Sequence, residues 1–362
     1  MDDIRLLLTV LSVAFSFATS HFLLPKIIAT AHRFHWFDPP EDRKIHTGLI
    51  PRLGGIAIVS SLAISAIVAP FLASRIMGKN ISPFKYMIPN MILVSGGLLI
   101  FVVGLIDDFK SISAKKKLAF QIIAALLACA GGAKINFFMV PFIWYKVELG
   151  IWAWPITVFW IVAIVNALNM IDGMDGLSGT ISGLACLTYG LVFMLQSNYL
   201  LSIFCFALLG SIMGFLMYNY PPAQIFMGDS GSMFLGFFLA VIPLAAEPDS
   251  GGSLVLPITM LVIPIIDVIA AIIRRGRDRV PFFEPDRSHM HHKLLRMGFD
   301  ERRILSLVCL FSFFFGLCSV LTYYLSARKG LILIFINWAI GILFFIMLHY
   351  LNKFGVKKRK NT

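Results

Sequence analysis

A chain of 362 residues that is 58% hydrophobic and only 14% charged, with mean hydropathy +0.85, falls outside the soluble globular class, where roughly a quarter of residues carry charge. Its net charge of +12 has no soluble basic domain to sit on, which excludes a nucleic-acid-binding role. No segment alternates with period two over the ~10 residues that a membrane barrel strand needs, so the class is helical.

The apolar residues gather into eleven blocks, roughly 4–24, 53–74, 86–106, 117–133, 152–171, 178–196, 200–218, 231–247, 253–273, 304–325 and 330–351. About 20 helical residues cross a hydrocarbon core of ~30 Å. The expectation is an all-α, polytopic integral membrane protein of about 11 transmembrane helices, forming one domain over residues 1–362. The first block reads as a retained span, because Met1-Asp-Asp-Ile-Arg5 is not a basic leader and the apolar run exceeds the ~7–15 residues of a signal core. Cys129, Cys186, Cys205, Cys309 and Cys318 lie inside apolar blocks without metal-like spacing. They read as small hydrophobes.

Eleven spans put the termini on opposite sides. Segments 25–52, 107–117, 172–177, 219–230, 274–303 and 352–362 share one side and hold 23 of the 31 Lys/Arg. The positive-inside rule makes that side cytoplasmic, with the N-terminus outside and the basic tail, residues 352–362, inside beside anionic headgroups. Fourteen of the 19 Asp/Glu lie on the same side or within a few turns of it. Acids do not set topology, so chemistry on a charged cytosolic substrate is the simplest reason for their gathering there. The loops expected to carry it are 25–52, 107–117, 166–178, 219–232 and 274–303.

In chain order, the first of these loops offers Arg43, Lys44, His46 and Arg52, which either present cations to a phosphate or serve only as topogenic charge. The third block ends in Asp107-Asp108. A charge at mid-bilayer costs ~2.5–3.5 kcal/mol on insertion scales and less at the edge. A divalent cation or nearby lysines would offset that; a solvated helix end is the plainer reading. The fifth block runs into Asn166-Ala-Leu-Asn-Met-Ile-Asp-Gly-Met-Asp-Gly-Leu-Ser-Gly179. Asn166, Asn169 and Asp172 share a stripe if the helix reaches that far, while Gly173, Gly176 and Gly179 supply turn geometry. These amides and carboxylates suit a base, a sugar or the oxygen shell of Mg²⁺, which takes few protein ligands. No G-x-x-x-x-G-K-[ST] run is present, which excludes a P-loop.

Pro221-Pro222 stops the seventh helix. Asp229 and Ser230 then start the eighth, either as helix caps or facing phosphate. Phe226 either stacks on a nucleobase or packs. In the ninth block Asp267 either pairs with Arg274 or Arg275 or joins the chemistry. The loop beyond carries His289, His291 and His292. Without cysteines or an H-x-x-x-H spacing they read as donors to phosphate or sugar oxygens, not zinc ligands.

Four motifs in order carry a resemblance: Asp107-Asp108, the Asn166–Gly176 run, Asn219 through Phe226-Met-Gly-Asp229-Ser-Gly-Ser232, and His289-Met-His-His292. Together they resemble the polyprenyl-phosphate N-acetylhexosamine-1-phosphate transferases, the glycosyltransferase 4 family that includes MraY, the WecA/TagO enzymes and the eukaryotic dolichol-phosphate GlcNAc-1-phosphate transferase. The resemblance implies an active site on the cytoplasmic face of a bacterial inner membrane. There a polyprenyl phosphate attacks a UDP-N-acetylhexosamine, releasing UMP and starting a lipid-linked cell-envelope glycan. It implies Mg²⁺ (with Mn²⁺ as a substitute) held by Asp229 and Asn169. It also implies catalytic roles for Asp107, Asp108, Lys117, His289, His291 and His292. Lys44, Asp172, Asp175, Asn219, Phe226, Arg275, Arg277 and Arg287 would bind substrate. The implied partners are the UDP-sugar, undecaprenyl phosphate and membrane lipids, with a homodimer allowed and no nucleic acid.

Two departures matter. A third acid often follows the Asp pair in this group, but here Ser111 holds its place. The H-x-H-H pattern resembles the WecA/TagO branch more than the peptidoglycan branch, which favours UDP-GlcNAc over UDP-MurNAc-pentapeptide. A secondary transporter is the non-enzyme alternative. It would place ionisable groups near mid-membrane in repeated halves, whereas here they hug one boundary and no repeat is visible.

Overall fold

The computed structural model describes residues 2–37, 50–78, 91–140, 145–246, 254–279 and 289–360. Its elements are α1 (Asp2–Phe34), α2 (Gly54–Met77), α3 (Met91–Phe109), α4 (Ala114–Ala130), β1 (Phe137–Val140), β2 (Tyr145–Glu148), α5 (Ala153–Ile171), α6 (Leu177–Leu195), α7 (Tyr199–Asn219), α8 (Gly228–Ala246), α9 (Val255–Met260), α10 (Val262–Asp278), α11 (Met290–Arg296), α12 (Glu301–Tyr324) and α13 (Ala327–Lys360). Among the described residues, nine helices are long and apolar enough to cross a membrane. The protein is an all-α, multi-pass membrane protein.

Two of the eleven expected spans fall outside those nine helices. The fourth is α4, only 17 residues long. The ninth is broken at Leu261 into α9 and α10. Pro264 explains the break: it lacks an N–H to give to Met260, four residues back, and its ring crowds that carbonyl. One feature had no sequence signal. The connection between α4 and α5 contains two paired antiparallel strands, with Phe137 opposite Glu148 and Val140 opposite Tyr145.

The bundle is organised around α8. Sixteen of its 19 residues are buried, and it packs against α2, α3, α5, α6 and α9. Close approach is made possible by small residues facing large ones: a Cβ on Gly96 would sit 2.8 Å from the Phe237 ring, and one on Gly236 2.8 Å from the Val165 backbone. Some of the polar side chains inside the bundle pair with one another or with backbone, which an apolar medium favours. Ser61 Oγ donates to Ser211 Oγ at 2.9 Å, and Trp160 Nε1 donates to Ala240 O at 3.2 Å. Large apolar side chains such as Ile67, Phe71, Phe159, Leu310 and Leu343 are exposed on the outside, where lipid replaces water as the solvent. α1 and α2 pack on each other and on α7, while α12 packs on α6. This arrangement brings the C-terminal ends of α3, α5 and α7 to the N-terminal end of α8.

Candidate active site

Three loops are stitched together before α8 begins. Asn219, 4% exposed, accepts from Gly176 N at 2.9 Å through Oδ1 and donates to Ile225 O at 2.8 Å through Nδ2. Asp175 Oδ2 accepts from Ala223 N at 2.8 Å. Segment 50–55 lies along the same strip: Phe226 N donates to Pro51 O (2.8 Å), Gly54 N to Phe226 O (2.9 Å) and Gly55 N to Met227 O (2.8 Å). Both polar ends of Asn219 and one oxygen of Asp175 are therefore spent on backbone, so these two residues frame the site. Phe226 is half-buried beside them.

Gly104 lets α3 meet the start of α8 backbone to backbone. A Cβ there would lie 2.6 Å from both Ser230 N and Ser230 Cα. Gly228 turns the chain with φ +76°, and a Cβ on it would lie 2.6 Å from Asp108 Oδ2. The contact delivers Asp108 to the helix end. Its Oδ1 accepts from Asp229 N at 2.7 Å and its Oδ2 from Ser230 N at 3.0 Å. Asp108 thus caps α8 from another helix, satisfying two of the donors that a helix N-terminus leaves open. The expectation that Asp229 or Ser230 caps its own helix is corrected by this arrangement, which leaves the Asp229 carboxylate for other partners.

Those partners are cationic and amide groups. Lys117 Nζ, from the first turn of α4, lies 2.5 Å from Asp229 Oδ2 and 2.6 Å from Asp107 Oδ2. Asp107 Oδ1 accepts from Ile112 N at 2.6 Å. Asn169 donates to Ser232 Oγ at 2.9 Å, and its amide also reaches the Asp229 carboxylate. Asn166 faces away, exchanging hydrogen bonds with Gln121 on α4. The residues that reach the acids are Asn169, in the last turn of α5, and Asp172, just past its end at Ile171. Burial holds the Asp172 carboxyl well above the usual carboxylate range; the charges of Asp229 and Asp108 push the same way and Arg52 opposes them. Asp108, Asp172 and Asp229 therefore share one electrostatic field with Arg52.

Among the described residues, no three His, Cys, Asp or Glu side chains form a metal cage. The available donors are the carboxylates of Asp107 and Asp229 and the Asn169 amide. An all-oxygen set with few protein ligands suits Mg²⁺ or Mn²⁺, which fill the rest of their shell with water and phosphate oxygens, and does not suit zinc.

The histidine segment closes another side. Asp267 pairs with His289, not with Arg274 or Arg275: its Oδ2 lies 2.7 Å from His289 Nδ1, and its Oδ1 accepts from Met290 N at 2.9 Å. His291 is 1% exposed, and neither ring nitrogen has a hydrogen-bond partner among the described residues. Burial, with His292 adjacent, lowers its pKa to about 3, so it is neutral. Its Nε2 would lie 3.0 Å from a Cβ on Gly173, which sets it against the loop carrying Asp172 and Asp175. His292 is half-buried, its ring 4.2 Å from that of His291. Arg275 is half-buried at the end of α10, and exposed Arg277 is held by Asp278 (Nε to Oδ1 2.8 Å). Lys44 and Arg287 lie outside the described residues.

The fold and these groups define a membrane-embedded protein with an acid-rich site, bounded by one lysine and a histidine segment, where the central helix begins. A family model described as glycosyl transferase family 4 matches residues 90–247. The chain is 35% identical over 339 residues to the probable undecaprenyl-phosphate N-acetylglucosaminyl 1-phosphate transferase of Bacillus subtilis (strain 168), covering 93% of this chain and 91% of that protein. It is 32% identical over 283 residues to the undecaprenyl-phosphate alpha-N-acetylglucosaminyl 1-phosphate transferase of Yersinia pestis, covering 75% and 73%. The protein of the same description from Escherichia coli (strain K12) is 31% identical over 299 residues, covering 79% and 76%. The chain belongs to glycosyl transferase family 4.

Proposed function

We propose that this protein transfers N-acetylglucosamine 1-phosphate from UDP-GlcNAc to undecaprenyl phosphate in a bacterial inner membrane, with the site on the cytoplasmic face and the C-terminus on the same side. The observation that carries the reading is the convergence of Asp107, Asp108, Lys117, Asn169 and Asp229 at one helix end. A site at the boundary of a membrane-spanning bundle is open to a lipid phosphate from one side and a soluble nucleotide-sugar from the other. The descriptions of the relatives supply the polyprenyl class of the lipid and the sugar, and they favour GlcNAc over the MurNAc-pentapeptide alternative.

In the reaction an oxygen of the lipid phosphate attacks the phosphorus bearing the sugar. A new P–O–P bond forms, the bond to the uridine-bearing phosphate breaks, and UMP leaves with the electron pair. A phosphate monoester has its second pKa near ~6 and is already a nucleophile at neutral pH, so no strong base is needed. Both oxygens of Asp108 are engaged with backbone N–H groups. That supports direct attack, with Asp108 as the group that shapes the site, over an aspartyl-nucleotide intermediate. Lys117 supplies positive charge between two carboxylates and would reach a phosphate entering there. Mg²⁺, held by Asp229 and Asn169, would supply charge neutralisation at the diphosphate when bound. Asn219 and Asp175 hold the loops that frame the uridine, beside Phe226.

A donor panel with mass analysis of the lipid product tests the reading. Purified protein with undecaprenyl phosphate and Mg²⁺ is expected to give undecaprenyl-diphosphate-GlcNAc and UMP from UDP-GlcNAc. Turnover with UDP-MurNAc-pentapeptide and none with UDP-GlcNAc would overturn the donor assignment.

A further inference from the structure

Asp267 is the one ionisable residue in the apolar stretch Val262–Ile273 of α10, 3% exposed, and nothing in the proposed reaction requires it to touch substrate. Both of its oxygens are spent on the same neighbour segment: Oδ2 on His289 Nδ1 at 2.7 Å and Oδ1 on Met290 N at 2.9 Å. His289 is itself 5% exposed, and Asp267 engages its Nδ1, not its Nε2. A buried carboxylate without a counter-group is costly. Here the counter-group is an imidazole whose other nitrogen Asp267 does not touch. The two interactions fix the ring's position, since the carboxylate grips both the side chain and the next backbone N–H. The His289 ring stacks on that of His291 (6.1 Å between centroids, 7° between planes), and His291 abuts Gly173. A residue of the apolar part of α10 is thereby connected through two imidazoles to the loop bearing Asp172.

We propose that Asp267 is a positioning residue: it makes His289 carry a proton on Nδ1 and so dictates what Nε2 can offer to the substrate. A carboxylate can only accept, so the nitrogen beside it must donate. The other nitrogen is then an acceptor in the neutral ring and a donor in the cation. Without Asp267 the ring is free to take the opposite tautomer or to rotate. This is the logic by which a carboxylate orients a working histidine at other sites. The proposal rests on the transferase reading for its kinetic test, but not for its spectroscopic one.

The spectroscopic test uses the wild-type protein in detergent with ¹⁵N-labelled histidine, resonances assigned by loss of the His289 signal in His289→Asn. The expected signature is a protonated, hydrogen-bonded Nδ1 on His289. An unprotonated Nδ1 overturns the proposal whatever the activity. The kinetic test compares Asp267→Asn, His289→Asn and the double variant. Asparagine can still accept from Met290 N, so helix docking survives. Losing the partner that orients a metal-bound histidine costs ~10–100-fold in metal affinity or activity, and a loss of that order is the expectation here. Asp267→Asn is expected to lower kcat by that order in the wild-type background and to add nothing in the His289→Asn background. Full activity of Asp267→Asn, or losses that multiply in the double variant, overturns the proposal. If Asp267→Asn does not extract as a folded protein, the ¹⁵N measurement on the wild type decides alone. If the wild type makes no lipid-linked sugar at all, the transferase reading fails, and the tautomer measurement still stands.

Discussion

Lys117→Met removes the ammonium and keeps most of the side-chain length. In the structure Nζ lies 2.6 Å from Asp107 Oδ2 and 2.5 Å from Asp229 Oδ2, with the three side chains 23%, 13% and 22% exposed. A hydrogen bond to a charged group contributes roughly 1.5–3 kcal/mol. The partial exposure argues for the lower end of that range at each contact. Two such contacts give a loss of about 3 kcal/mol, with two carboxylates left facing one another. Taking ~2.1 cal/mol/K of unfolding entropy per residue, this lowers the melting temperature by about 4 °C. The assay is thermal unfolding in detergent, with EDTA and then with excess Mg²⁺. A cation between the carboxylates takes over part of the lysine's role, so Mg²⁺ is expected to recover more stability in the variant than in the wild type. A variant that melts with the wild type in EDTA refutes the ion-pair arrangement, and with it the claim that these three residues meet.

Gly104→Ala is expected to cost ~1–3 kcal/mol from overpacking against the α8 backbone and to abolish turnover by dislodging Asp108. Gly183→Ala, where the new Cβ would lie 3.5 Å from its nearest neighbour, serves as the tolerated control in the same melting assay. Asp108→Asn keeps one acceptor and places an NH₂ against a backbone N–H. A loss of about 1.5–3 kcal/mol is expected on melting, together with loss of product while the protein still inserts. His291 has its folded pKa lowered to about 3, so the unfolded chain binds this proton more readily. Its contribution is fully present above the unfolded pKa near ~6.5 and is lost as pH falls from there towards 3, by up to ~1.4 kcal/mol per unit. His291→Phe is therefore expected to flatten the decline of melting temperature between pH 6.5 and pH 4; an unchanged slope contradicts the buried-neutral assignment.

Much of this architecture is legible in the chain because its signals are local. Long apolar blocks announce spans, Pro221-Pro222 announces the stop after α7, and Asp107-Asp108 announces its own cost at a helix end. The break at Leu261 was foreshadowed by Pro264, but the apolar run around it masked the interruption. What could not be read is tertiary. Asp108 caps a helix 121 positions further on, which no capping pattern encodes. The Asp267 partner proved to be a histidine 22 residues away, and not an arginine about two turns along the same helix. Asn219 carried a motif signal, yet its hydrogen bonds are all to backbone, so the sequence marked its presence without its task. The strand pair Phe137–Val140 and Tyr145–Glu148 was invisible because two four-residue strands carry too little alternation to register between two spans.

The central claim is that the acids gathered where α8 begins perform the transfer. Its most direct measurement is the rate of undecaprenyl-diphosphate-GlcNAc formation by wild type and Asp229→Asn, side by side, at equal amounts of folded protein with UDP-GlcNAc, undecaprenyl phosphate and Mg²⁺. The predicted result is product from the wild type, which chelation abolishes, and none above background from the variant. Equal rates from the two proteins would contradict the account.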